Sequence, residues 1–165
     1  MEVIALEEDV LETVELSDYE LDRNKPMPSK NHALVQSRFV GQLDANYSEQ
    51  YNVLTEIKLD TPPKDVVPDI AIYPRFAFDP LHDEVKMTEM PLCAVEILSP
   101  SQTNDELIEK VVKYFSLGVK SCWLVIPTFQ IVSVFSDAST QRTFFKGELH
   151  DEVLNIKIDL DKVFR

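Results

Sequence analysis

Cysteine is scarce in this 165-residue chain: Cys93 and Cys122 are the only two, too few for a disulfide framework or a zinc site built from cysteine alone. Long apolar runs are also missing. The longest, residues 122–126, is the size of a strand and far short of the roughly 20 residues that cross a bilayer, so no membrane span is expected. There is no internal repeat and no low-complexity tract. Basic residues are absent from the first 22 positions, which instead carry Glu2, Glu7, Glu8, Asp9, Glu12, Glu15, Asp18, Glu20 and Asp22. An acidic start of this kind is not that of a secretory leader, and a reducing cytoplasm is the expected compartment.

The net charge of −13 argues against broad, charge-driven binding to nucleic acid. Most of it belongs to the acidic lead, however, and −4 remains without those nine acids, so the rest of the chain can still present a locally basic cleft. With 44% apolar and 27% charged residues the composition is globular, and the length suits one domain: residues 1–18 as an acidic lead and 19–165 as the folded unit.

Along the chain, residues 1–17 are compatible with a short helix. Residues 19–28 read as two short strands about the turn-rich Asp22-Arg23-Asn24-Lys25. Ser29 is placed to cap a helix running to about Asn46, with Leu34, Val35, Phe39, Val40 and Leu43 as its apolar stripe. Strands are expected at 51–59, 67–73 and 92–98, with an irregular stretch at 74–90. Thr103 and Glu106 form a capping-box pair at the head of a helix that reaches Leu117, and Gly118-Val119 is a Schellman-type stop. Strands at 122–126, 131–135 and 142–145 follow, then a short strand or helical turn at 156–164. This order predicts an α/β or α+β domain with one helix on each side of a mixed sheet.

Two carboxylates stand out on these strands. Asp69 follows Pro68 in VPDIAIY, and Glu96 sits inside the apolar LCAVEIL. Alternation puts Glu96 on the face of Ala94 and Leu98, with Cys93, Val95 and Ile97 on the other. An acid so placed is costly unless paired, protonated or bound to a metal. On the following helix, Leu107, Ile108, Val111, Val112, Tyr114 and Phe115 fall in one arc. Lys110 lies roughly 40° from its edge, beside Tyr114, able to lay its stem on the sheet and aim its ammonium at Glu96, while Lys113 points to water. Two hard oxygen ligands and an amine suit Mg²⁺ or Mn²⁺, with the Ile97 carbonyl as a third ligand, and such an ion polarises a phosphodiester and acidifies bound water.

The segments Tyr19-Glu20-Leu21 with Pro26-Met27-Pro28, Pro68-Asp69-Ile70-Ala71, Val95-Glu96-Ile97-Leu98-Ser99-Pro100-Ser101, Lys110 with Tyr114, and Gly118-Val119 with Trp123-Leu124-Val125 resemble the Uma-two family of bacterial restriction-endonuclease-like proteins. The resemblance spans about residues 19–164. It implies the PD-(D/E)XK nuclease fold, a mixed sheet flanked by helices. It also implies a metal-dependent endonuclease acting on DNA, with Asp69, Glu96 and Lys110 catalytic, and Asp69, Glu96 and Ile97 holding the metal. The superfamily lysine would fall two residues after Glu96, where Leu98 stands, and Lys110 on the next helix matches its relocated position. Ile126 stands where the family usually has Asp, and the residue after Ser101, often basic in relatives, opens the neutral Gln102-Thr103-Asn104 here. A homodimer would give a two-stranded target two active sites. A non-catalytic binding module of the same fold, favoured by a Lys110–Glu96 ion pair that leaves no room for a metal, is the alternative, as is a nuclease acting on RNA.

Of the remaining residues, His32 is expected as a capping or surface residue that could approach the site. His82 and His150 are expected to be solvated, Arg38 and Gln42 to border the cleft, Cys93, Cys122, Trp123 and Phe135 to be core, and Val163 and Phe164 to anchor the C-terminal end.

Overall fold

The computed structural model describes residues 17–23 and 25–165; the expected helix over 1–17 lies almost wholly outside the described residues. Ser17 and Glu20 form an S-x-x-E capping box. The Ser17 N–H donates to Glu20 Oε2 at 2.9 Å, and the Glu20 N–H donates to Ser17 Oγ at 3.3 Å. That pair opens a six-residue helix, α1 (Asp18–Arg23), where two strands were expected: the local cap satisfies backbone donors that a strand would have left to a partner.

Ser29 caps the next helix, α2 (Lys30–Tyr47), through its hydroxyl. Val35, Phe39 and Leu43 are the buried apolar positions of α2, whereas Leu34, expected in the stripe, is exposed, and His32 is buried in its stead. The predicted single strand over 51–59 is divided in two. Glu56 adopts a left-handed backbone (φ 56°) and turns the chain, so β1 (Tyr51–Thr55) joins the main sheet and β2 (Lys58–Leu59) pairs in parallel with β4 (Lys86–Met87).

The main sheet has six strands in the order β1, β3 (Ile70–Pro74), β5 (Cys93–Ile97), β6 (Ser121–Ile126), β7 (Ile131–Phe135), β8 (Gln141–Phe144). All its neighbours are antiparallel except β5 and β6. A parallel pair needs a crossover, and here it is α3 (Asn104–Ser116), opened by the expected Thr103–Glu106 capping box. It ends at Gly118 (φ 93°), where the Val119 N–H reaches back to the Tyr114 carbonyl at 3.1 Å.

The helices cover opposite faces of the sheet. Val35, Phe39 and Leu43 of α2 pack with Ile70, Ile72, Val95, Ile97, Trp123 and Val125. Leu107, Val111 and Tyr114 of α3 pack with Ala71, Ala94, Cys122, Leu124 and Phe135. The contact line of α3 is narrower than its apolar arc, and Ile108 and Val112 stay exposed. A hairpin of β9 (Glu148–Asp151) and β10 (Ile156–Asp159), then a one-turn α4 (Leu160–Val163), closes the α2 side with Leu149, Ile156, Ile158 and Val163. The single element expected over 156–164, a short strand or a helical turn, is both in succession, and β9 was not expected. Among the described residues no helix is long and apolar enough to cross a membrane.

Candidate functional site

Because α3 crosses over the face that carries Ala94 and Glu96, its residues at i and i+4, Lys110 and Tyr114, descend on Glu96 together. Lys110 Nζ donates to Glu96 Oε2 at 2.9 Å, and the Tyr114 hydroxyl donates to Oε1 at 2.5 Å. Glu96 is 1% exposed. Burial, and then the charge of Glu96, pushes the Tyr114 phenol well above its ordinary range, so it remains a donor.

Asp69 immediately precedes β3. Continuing the register past Ile70↔Val95 sets it beside Glu96. Its backbone is fixed by Gln36 of α2, whose amide donates to the Asp69 carbonyl at 2.7 Å. Its Oδ2 accepts the Ile97 N–H at 2.6 Å. Its Oδ1 accepts from Lys25 Nζ at 2.5 Å and from His32 Nε2 at 3.1 Å. Burial favours the neutral acid, but the hydrogen bond from His32 and the charge of Lys25 outweigh it and hold the carboxyl well below the usual range.

The three residues singled out by sequence therefore converge, though not as one contact. Lys110 meets Glu96 directly, and Asp69 lies alongside with partners of its own. Ile97 enters through its amide, which orients Asp69. The structure adds Lys25, which sequence patterning missed, and His32, which was expected as a capping or surface residue able to approach the site. His32, on the first turn of α2, is buried and reaches Asp69, and its Nδ1 has no hydrogen-bond partner among the described residues. Lys25, assigned from sequence to a turn, is buried with its ammonium also 2.9 Å from the Val67 carbonyl and 3.4 Å from Glu56 Oε2. Burial alone would lower the Lys25 ammonium, but the charges of Glu96, Asp69 and Glu56 together raise it. Neither residue carries a periodic signal; Lys25 arrives with the segment before α2 and His32 with the first turn of α2, both set against the start of β3.

Other expectations change as well. Lys113 does not point to water but donates to the Lys64 carbonyl at 2.6 Å, clamping the 61–64 loop. Arg38 and Gln42 bind the Val163 and Asp159 carbonyls and so tie down the C-terminal segment instead of bordering a cleft. Cys93 and Cys122 are fully buried, with thiols pushed up by burial. Away from the site, buried Asp151 accepts from Ser121 Oγ at 2.5 Å, Trp123 Nε1 at 2.8 Å and the Val153 N–H at 2.9 Å, a structural hub.

Among the described residues no group of three or more His, Cys, Asp or Glu side chains is arranged as a metal centre. A metal here would rest on the two carboxylates and backbone oxygen. A cavity of about 400 Å³ opens next to His32, between the start of α2 (Ser29, Asn31) and Leu98, Ser99, Gln102 and Thr128.

The sequence matches the Uma2 family, described as "Putative restriction endonuclease", over residues 2–160. The crystal structure of "a putative nuclease belonging to DUF820" from Anabaena variabilis superposes with a TM-score of 0.71 at 20% identity, covering 84% of this chain and 83% of that one. At that identity the likeness is one of fold. The cryo-EM structure of a DrdV–DNA complex overlaps 79% of this chain and 12% of its own, with 12% identity and a TM-score of 0.36, too loose an overlap to align side chains. No curated protein matches the chain.

Proposed function

The chain belongs to the Uma2 family, and from that premise we propose that it is a metal-dependent nuclease hydrolysing phosphodiester bonds in DNA at Asp69, Glu96 and Lys110. The observation that carries the reading is the pair of buried carboxylates set side by side, Asp69 at the entry to β3 and Glu96 on β5. Structural ion pairs are common, but they do not need a second buried acid next door.

The residues present fit a hard divalent cation. Asp69 and Glu96 supply carboxylate oxygen, and the Ile97 carbonyl is the adjacent backbone oxygen. The fold already brings the ammonium of Lys25 to this oxygen-rich spot, 2.5 Å from Asp69, which marks it as a place for positive charge. When bound, Mg²⁺ or Mn²⁺ supplies Lewis-acid polarisation and an acidified water. The chain's own residues set the stage. Tyr114 fixes one oxygen of Glu96. Gln36 and the Ile97 amide fix Asp69. Lys110, 19% exposed where Glu96 is 1%, presents its ammonium at the solvent side, where it can offset phosphate charge. Cutting both strands of a duplex calls for two such sites, hence two copies of the chain.

One observation favours a second reading, a non-catalytic module of the same fold. The Lys110–Glu96 ion pair expected of such a module is present, and each of the four carboxylate oxygens already accepts a hydrogen bond from the protein. The two readings separate on plasmid, single-stranded DNA and RNA incubated with Mg²⁺ or Mn²⁺. Cutting of DNA by the wild type, lost in Asp69→Ala, Glu96→Ala and Lys110→Ala, supports the nuclease. Equal cutting by all four proteins exposes a contaminant, no cutting by any of them supports the binding module, and cutting of RNA alone moves the substrate.

A further inference from the structure

We propose that Lys25 is a resident cation: its ammonium fills the cation position beside Asp69 and Glu96, and a divalent ion enters as Lys25 withdraws. This rests on reading the two carboxylates as a divalent-ion site.

Lysine is among the residues least often buried, yet the Lys25 side chain is 6% exposed. Among the described residues its polar partners are oxygens: Asp69 Oδ1 at 2.5 Å, the Val67 carbonyl at 2.9 Å and Glu56 Oε2 at 3.4 Å. Carboxylate and carbonyl oxygens around a desolvated positive charge are also what a hard metal ion selects. The ammonium and the ion therefore compete for one set of donors.

The two site lysines differ in how they are mounted. Lys110 lies in the body of α3, on a backbone held by helix hydrogen bonds. Lys25 belongs to residues 25–29, which join α1 to α2 and are neither helix nor strand. Its withdrawal breaks no sheet ladder and leaves the Ser29 cap of α2 in place. Charge favours the exchange. Beside the carboxylates of Asp69, Glu96 and Glu56 it replaces one positive charge by two. Lys25 would thus hold the site closed at low metal and set the metal concentration at which it opens.

Mn²⁺ titration of the wild type and Lys25→Met tests this, followed by calorimetry. Removing the competitor should tighten Mn²⁺ binding by about tenfold or more, the factor expected when the open form is a tenth or less of the population. Equal or weaker binding by Lys25→Met overturns the proposal. Labelling of the wild type with an amine-reactive ester, read by peptide mass mapping, needs no variant to fold. Lys25 should be protected without metal and become modified at saturating Mn²⁺. Continued protection while Mn²⁺ is bound overturns the exchange but leaves the divalent site standing. Absence of Mn²⁺ binding in both proteins overturns the divalent site itself, and the exchange with it.

Discussion

Replacing Tyr114 with phenylalanine isolates one hydrogen bond of the site. The ring is fully buried among Leu107, Val111 and Cys122, and phenylalanine keeps its volume, so no cavity opens. What is lost is the 2.5 Å hydrogen bond to Glu96 Oε1, inside a region where water cannot replace it. Hydrogen bonds to charged groups contribute about 1.5–3 kcal/mol. Lys110 still holds the other oxygen, so a loss near the middle of that range, about 2 kcal/mol, is expected. For a domain of this size each kcal/mol moves the midpoint by about 2–4 °C, so Tm should fall by about 4–8 °C. Urea unfolding followed by Trp123 fluorescence gives the free energy directly, and an unchanged m-value would show that the unfolded state is not involved. The phenol stays protonated because burial and Glu96 push its pKa up, so the loss should be the same at neutral and moderately alkaline pH. In a cycle with Glu96→Gln the two changes should couple. A Tyr114→Phe variant within about 0.5 kcal/mol of the wild type, the spread of inert substitutions, would refute the reasoning.

Acid sensitivity should trace to Asp69. Its folded pKa lies below its unfolded value, so its contribution is complete above about pH 4 and is lost as pH falls through the folded value. Asp69→Asn should be less stable at neutral pH and show a flatter acid limb in urea titrations; an unchanged limb would contradict this. Asp151→Ala should cost about 3 kcal/mol or more by leaving Ser121, Trp123 and the Val153 amide unpaired, and should shift Trp123 emission. Gly118→Ala should cost about 1–2 kcal/mol in thermal unfolding, from backbone alone, since φ is 93° and no neighbour lies within 4 Å of the added carbon.

Where a local rule decides structure, the sequence reading holds. Period-2 alternation put Glu96 on the α3 face, and the Thr103–Glu106 box and Gly118 marked both ends of α3, so the approach of Lys110 to Glu96 followed from helix geometry. What was not legible depends on tertiary approach. Nothing near Lys25 or His32 in sequence announces Asp69, 44 and 37 residues away; the docking of Lys25 and of the first turn of α2 against the start of β3 creates those contacts. The division of β1 from β2 hangs on the left-handed backbone of Glu56, a conformation that composition does not signal. The Ser17–Glu20 box was readable but was masked by the turn-rich residues that follow it.

On the proposed function Asp69 and Glu96 form a divalent-cation site. Calorimetric titration of Mn²⁺ into the wild type and into Glu96→Gln, which keeps an acceptor for Tyr114, tests it most directly. Saturable heat in the wild type that disappears in a folded Glu96→Gln is the expected result; no heat in the wild type even at Mn²⁺ concentrations well above those that saturate Lys25→Met, no heat in either of those two proteins, or equal heat in the wild type and Glu96→Gln, would contradict it.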